Sequence, residues 1–430
     1  MKTNKTLLSF AVACGLATVS STVSAAGFQL AEYSATGLGR AYAGEAAMAD
    51  NASAQWRNPA MLTYLEGTQV SVGAIYVNPN LDVDGSTRFV TGDVRSESDD
   101  FANDAVIPNL YVSHRYNEKL AVGLAFGTNY GMETDLGTDF TAAHFGNEAS
   151  ITTVEANLNI GYQLTETVSV GGGIRYVMGE GSFGATVPSQ TAAVAPLNEG
   201  DTLKYMEGDD TAWGWQIGAA WQLNPNHRVG ISYKSAVDLK LEGYATGLGF
   251  GLANGTREDG HMDLSLPATA ELASFHQVSE KLALHASFNW TDWSSFEKLE
   301  AELDTLGTQM VKVENWKDNY RFAVGATYQV DPKLTLRTGV AYDTSAVSDK
   351  NRTITIPETD RTWLSLGASY DFTKQFTLDG GFTYIIAKDA PITESRGYDS
   401  DDAAQAVGGQ FVGETSGHVW LIGVQANYRF

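Results

Sequence analysis

Seven histidines and a single cysteine are the residues of this 430-residue chain from which acid–base, nucleophilic or metal chemistry would first be assembled. His114, His227, His276, His285 and His418 are scattered, and none stands in a His-Glu-x-x-His or Gly-x-Ser-x-Gly setting. His285 and Ser287 share one face of a strand-like run, which a polar pair facing water explains better than a nucleophile with its base. Gly247-Leu248-Gly249-Phe250-Gly251 has the glycine density of a phosphate loop but lacks the strand-then-helix unit that would aim backbone amides at a phosphate. It reads as a mobile loop. No group of His, Cys, Asp or Glu has metal-ligand spacing. The sequence therefore points to no enzyme, no cofactor and no metal, and leaves binding as the chemistry to look for.

Binding needs a scaffold, and the first element is one that directs export. Lys2 and Lys5 precede an apolar stretch from Leu7 to Val19, and Val23-Ser24-Ala25 forms a small-residue cleavage site before Ala26. This is the pattern of a secretory signal, with an apolar stretch too short to span a bilayer. Cys14 lies inside it, and Ala11-Val12-Ala13 is a poor lipoprotein approach, so the mature chain is expected to carry no thiol. With 44 Gly, only 10 Pro and mean hydropathy of -0.18, the chain is too polar for membrane helices. A barrel with one apolar face per strand meets that average.

From residue 67 onward, period-two alternation recurs in segments of about ten residues. Trp420, Ile422, Val424, Ala426, Tyr428 and Phe430 alternate with Leu421, Gly423, Gln425, Asn427 and Arg429. Val154 to Leu164, Trp213 to Leu223 and Tyr320 to Tyr328 repeat the design, with Glu155, Asn157, Asn159, Gln216 and Arg321 on the polar face. A soluble sandwich would not turn such groups toward its core; a water-filled lumen accommodates them. Short turns such as Asn117-Glu118, Thr165-Glu166 and Asp331-Pro332 alternate with long segments, and about fourteen strands result. The fold class expected is all-β: a transmembrane antiparallel barrel of residues 67–430. Residues 26–66 lack strand alternation and are rich in small residues, which favours a plug packed in the lumen. Helical spacing is read over Glu45 to Gln55, ended by Pro59. The net charge of -23 makes nucleic acid an improbable partner, and the acidic loop residues Asp93, Glu97, Asp99, Asp100 and Asp104 read as solvated surface.

Several motifs resemble one family. Gly27-Phe28-Gln29-Leu30, Gly37-Leu38-Gly39-Arg40-Ala41-Tyr42, Arg57-Asn58-Pro59-Ala60, Thr128-Asn129-Tyr130-Gly131, Trp316-Lys317-Asp318-Asn319-Tyr320-Arg321 and Asn351 to Pro357 are similar to FadL-type long-chain fatty-acid transporters of Gram-negative outer membranes. The resemblance implies a fourteen-stranded barrel with an N-terminal hatch carrying Asn58, Pro59 and Ala60. It also implies ligand capture at an apolar groove between loops near 180–211 and 242–265, the latter with Leu248, Phe250 and Leu252. A deeper pocket would follow, with Phe28 against the ligand, Lys312 at the carboxylate and Thr128 where the family has a serine. The family's pocket arginine aligns with Ala185, and Arg175 is a substitute that more readily reads as an ion-pair member. Lateral exit is implied at a kink over Asn129, Tyr130 and Gly131, where glycine would permit dihedrals that a side chain hinders. Further expectations are contact with outer-membrane lipid and lipopolysaccharide, recognition of the Phe430 strand by the barrel-assembly machinery, and a monomer. Uptake of aromatic hydrocarbons by the same route, or a general porin, are the alternatives.

Overall fold

Alternating sequences of this kind can satisfy their backbone only by pairing with neighbours on both sides, and closing the sheet removes the last free edges. The computed structural model describes residues 27–89, 91–192, 197–395 and 409–430. The expected signal segment lies outside them, as do parts of the long segments near 180–211 and 388–417. Seven strands form one half of a closed antiparallel barrel: β1 (Thr68–Phe89), β2 (Ala105–Arg115), β3 (Leu120–Gly127, resuming as Gly131–Asp135), β4 (Glu148–Gln163), β5 (Val168–Thr186), β6 (Thr202–Asn224) and β7 (His227–Lys234, resuming as Val237–Thr246). The other half comprises β8 (Arg257–Leu266, resuming as Thr269–Gln277), β9 (Leu282–Thr291), β10 (Asn319–Gln329), β11 (Leu334–Asp343), β12 (Arg361–Asp371), β13 (Phe376–Ala387) and β14 (Phe411–Arg429). The ring of fourteen closes where β14 pairs with β1, from Gln69 opposite Arg429 to Thr87 opposite Phe411. Short loop strands at Gly92–Ser98, Lys298–Leu303, Gly307–Val313 and Ala390–Glu394 extend the long-loop end.

Side chains divide between the two faces as the alternation requires. Leu158, Ile160, Trp213, Trp215, Ile217 and Trp221 are exposed outward, whereas Glu155, Asn157, Asn159 and Gln216 are buried inward. The short turns join β2 to β3, β4 to β5, β6 to β7, β8 to β9, β10 to β11 and β12 to β13, all at one end.

The lumen is filled by residues 27–66. A one-turn helix α1 (Ala35–Leu38), capped by Ser34, is followed by 3-10 turns at Glu45–Ala47, Ala52–Trp56 and Pro59–Tyr64. The α-helix expected over Glu45 to Gln55 is therefore absent, and Pro59 begins a turn where it was expected to end one. The asparagines explain both differences. Asn51 and Asn58 accept hydrogen bonds from the main-chain N–H of Ser53 and Ala60, starting new turns at each point. Barrel glycines let this segment approach closely: a Cβ at Gly230 or Gly339 would overlap the carbonyls of Ala46 and Arg40.

Candidate functional site

Two different environments occupy the lumen. Toward the short-turn end, buried charges tie the hatch to the wall. Arg40 pairs with Glu45 at 2.6 Å and with Asp50 at 2.8 Å, and Arg57 pairs with Glu271 of β8 at 2.9 Å. Arg321 of β10 donates to the Ala41 carbonyl at 2.9 Å and pairs with Asp343 of β11. The Asn58 amide donates to the carbonyls of Ala46 at 2.7 Å and Ala219 of β6 at 3.1 Å while its oxygen caps the Pro59 turn. Asn58, Pro59 and Ala60 thus join two parts of the hatch to the wall.

The second environment is apolar and runs the length of the upper lumen. Phe250 and Leu252, on the loop after β7, belong to one continuous buried cluster with Leu203, Phe183, Leu241, Ile356, Trp293, Tyr130 and Phe28. Leu248, on the same loop, is half-buried and not part of that cluster. The two loops touch: Lys204 lies over the Phe250 ring, and Asn254 donates to Asp201 at 3.1 Å. At its inner end, Phe28 stands edge-on to Trp293 with ring centres 4.6 Å apart, flanked by Phe296, Trp316 and Tyr130. Gly27, with φ +67, lies where a side chain would strike the rings of Trp293 and Trp316.

Between these ends lies a small cavity lined by Met132, Ile151, Phe183, Leu264, Phe296 and Ile356 with Lys312 and Glu314. Lys312 Nζ forms an ion pair with Glu394 Oε1 at 2.7 Å and sits 5.4 Å from the Phe183 ring centre. Glu394 is held by the Ile354 N–H at 2.8 Å. Glu314 accepts from the Trp316 indole at 2.8 Å, and burial pushes its carboxyl up to about 7 against the opposing pull of Lys312. Glu394 and Glu314 were not among the residues singled out from the sequence. Glu394 lies 82 positions from Lys312 and only the closed barrel brings them together.

Thr128 is not part of this cavity. It stands at the break in β3, where its hydroxyl and that of Thr153 both donate to the Tyr130 carbonyl, at 3.0 Å and 2.7 Å. Asn129 donates to Glu155 at 2.6 Å, and Arg175 grips the same carboxylate through Nε and Nη2, so Arg175 is a wall ion pair here. Tyr130 reaches across the lumen to the Pro267 carbonyl at 2.7 Å. Gly131 takes no left-handed dihedral, contrary to expectation. The bend is made by the residues before it, through these side-chain bonds.

The bend leaves a gap in the wall. The β2–β3 ladder ends at Leu110 opposite Phe126, and Ala105–Asn109 pair only with β1 until Ala102 meets Thr134. Pro108 lies in this stretch, where a missing N–H is tolerated because one edge has no partner. Inside the gap the hatch replaces the lost ladder: Gly131 N–H donates to the Phe28 carbonyl at 2.8 Å and Leu30 N–H to the Asn129 carbonyl at 2.7 Å. Gln29 bridges Tyr130. His285 bonds Thr327 at 2.8 Å and is not hydrogen-bonded to Ser287.

This arrangement has counterparts. A family model described as "Outer membrane protein transport protein (OMPP1/FadL/TodX)" matches residues 16–430. The chain is 36% identical over 439 residues to a 47 kDa outer membrane protein of Pasteurella multocida, with 97% of each chain covered. It is 33% identical over 448 residues to a long-chain fatty acid transport protein of Escherichia coli O6:H1, with 98% of each covered. Among solved structures, a FadL homologue from Pseudomonas aeruginosa superposes with a TM-score of 0.83 at 22% identity, covering 94% of this chain and all of that one.

Proposed function

This chain belongs to the OMPP1/FadL/TodX family of outer membrane transport proteins, and from that premise we propose that it takes up long-chain fatty acids passively. The observation that carries the reading is the unbroken apolar cluster joining the Phe250–Leu252 loop, the Lys312 cavity and the bend at Tyr130. A fatty acid is captured between the two outer loops and seats its carboxyl group near Lys312. Its acyl chain then lies toward Phe28 and the gap between β2 and β3.

Exit is sideways. An acyl chain released into water forfeits about 0.8 kcal/mol per CH₂, a penalty that release into the bilayer avoids. At the β3 side of the gap Phe28 to Leu30 hold the Asn129 carbonyl and the Gly131 N–H, so release past them requires this hatch segment to withdraw. Thr128 serves the bend and not the headgroup. A lumen occupied by the hatch argues against a general porin.

The test bridges the gap reversibly. Pro108→Cys with Thr128→Cys, joined by a short reducible thiol cross-linker, is expected to stop uptake of labelled oleate by cells and to recover it on reduction, with binding to the outer loops retained. Undiminished uptake by the cross-linked protein would rule out the lateral path.

A further inference from the structure

The polar end of the Lys312 cavity holds three charged groups, and their bookkeeping does not suit a bare carboxylate. Lys312 is already neutralised by Glu394, both side chains being nearly inaccessible. Glu394 is in turn fixed by the Ile354 N–H. The third group is Glu314, fully buried, with one oxygen bonded to the Trp316 indole. Its other oxygen has no hydrogen-bond partner among the described residues. A buried, unpartnered carboxylate oxygen is an expensive thing to keep unless something arrives to meet it.

On the reading that fatty acids are the cargo, we propose that Glu314 sets the form in which they bind: the cavity accepts a carboxyl ligand only together with one proton, which Glu314 shares with it.

Charge and geometry lead to this together. The Lys312–Glu394 pair is neutral, so an ionised Glu314 beside an ionised ligand would put two like charges into an apolar cavity, and one of two such carboxyls must hold a proton. The free oxygen of Glu314 is the place for that proton, as O–H donor to the ligand or as acceptor of the ligand's own O–H. Lys312 retains N–H donors for the ligand's second oxygen, because an ammonium carries three and its ion pair with Glu394 engages at most one. The charged groups facing Glu314 are Lys312 on its own loop and Glu394 on the loop after β13. The strands packed around the cavity present Met132, Ile151, Phe183, Leu241 and Leu264, which carry no charge. Burial already holds the Glu314 carboxyl near neutrality, so the proton can be taken from solvent on binding and returned on release. The sign follows: carboxyl ligands bind most tightly at pH values below the Glu314 titration and less tightly above it. A fatty alcohol donates its hydroxyl to ionised Glu314 and needs no proton.

Calorimetry on the full mature chain in lipid nanodiscs tests this, using decanoate and decanol, with empty nanodiscs as blank and buffers of differing ionisation enthalpy. Near pH 8, decanoate is expected to draw in close to one proton and decanol none. Above the Glu314 titration, decanoate affinity should fall by up to about tenfold per pH unit while decanol affinity stays level. Glu314→Gln should bind decanoate without proton uptake and with a flat pH profile. The wild-type proton count is informative even if that variant does not fold. Decanoate binding with no proton uptake would overturn the inference and leave the transport reading standing. Failure of both ligands to bind would overturn the transport reading, and the inference with it.

Discussion

The lower and upper lumen of this barrel solve opposite problems with the same wall. Below, Arg40, Arg57 and Arg321 each meet a buried carboxylate, and Asn58 reaches two carbonyls from separate segments. Such contacts are directional, and removing one partner leaves an uncompensated charge, so the hatch has one seat. Above, Phe183, Leu241, Leu264 and Ile356 make contacts that are individually small and tolerate rearrangement. The lesson is a division of labour in which a charge-locked plug fills the lower lumen and an adaptable apolar body lines the upper one, as the proposed uptake would require.

The comparison breaks most visibly if the plug is removed. Deleting residues 27–64 should convert a closed barrel into a pore with large, steady conductance steps in planar bilayers, since the remaining strands close on each other without the hatch. Conductance no greater than wild type would show that the hatch is not the barrier. A smaller effect is expected from Arg40→Met, which leaves Glu45 and part of Asp50 without their cation. Loss of one partner from a buried pair costs about 3 to 5 kcal/mol. Hydrogen exchange at hatch amides should accelerate on the order of a hundredfold or more, while the β9 and β10 amides keep wild-type protection. Equal protection throughout would mean the hatch is held by packing alone.

How much of this was readable beforehand follows from how far each interaction reaches along the chain. Alternation is local, so Trp213 to Leu223 and Trp420 to Phe430 revealed their outward faces without any partner being known. The short turns were legible for the same reason. Helical spacing over Glu45 to Gln55 points to one helix, whereas the side chains of Asn51 and Asn58 start new turns at the points where they stand. The neighbouring Trp316-Lys317-Asp318 motif points to Lys312, whereas its ion-pair partner Glu394 has no local signal, because no local pattern links two loops across the barrel mouth. The motif position of Thr128 points to the headgroup, whereas its hydroxyl bonds the main chain two residues on. Gly131 invited a dihedral explanation, whereas the bend is held by Thr153 and Glu155 of the next strand.

The finest test of the adaptable half concerns chain length. The small cavity beside Lys312 and a second one toward Leu81, Ala102 and Val419 share Met132, Thr355 and Ile356 as a common partition. Ile356 lies on the loop after β11, whose Thr355 carbonyl accepts from Thr134 of β3 at 2.9 Å. An acyl chain anchored at Lys312 is therefore expected to gain affinity with each methylene until it reaches the partition, and then to stop gaining. Ile356→Ala opens the partition at its branched side chain, while Met132, unbranched and deformable, can give way. Affinity in the variant should keep rising past the wild-type plateau by up to about 0.8 kcal/mol, or roughly fourfold, per additional CH₂. The slope against chain length is the quantity to compare, because a general loss of stability from the smaller side chain lowers every point alike. Superimposable plateaus in the two proteins would place the limit elsewhere and leave the second cavity outside the path of the ligand.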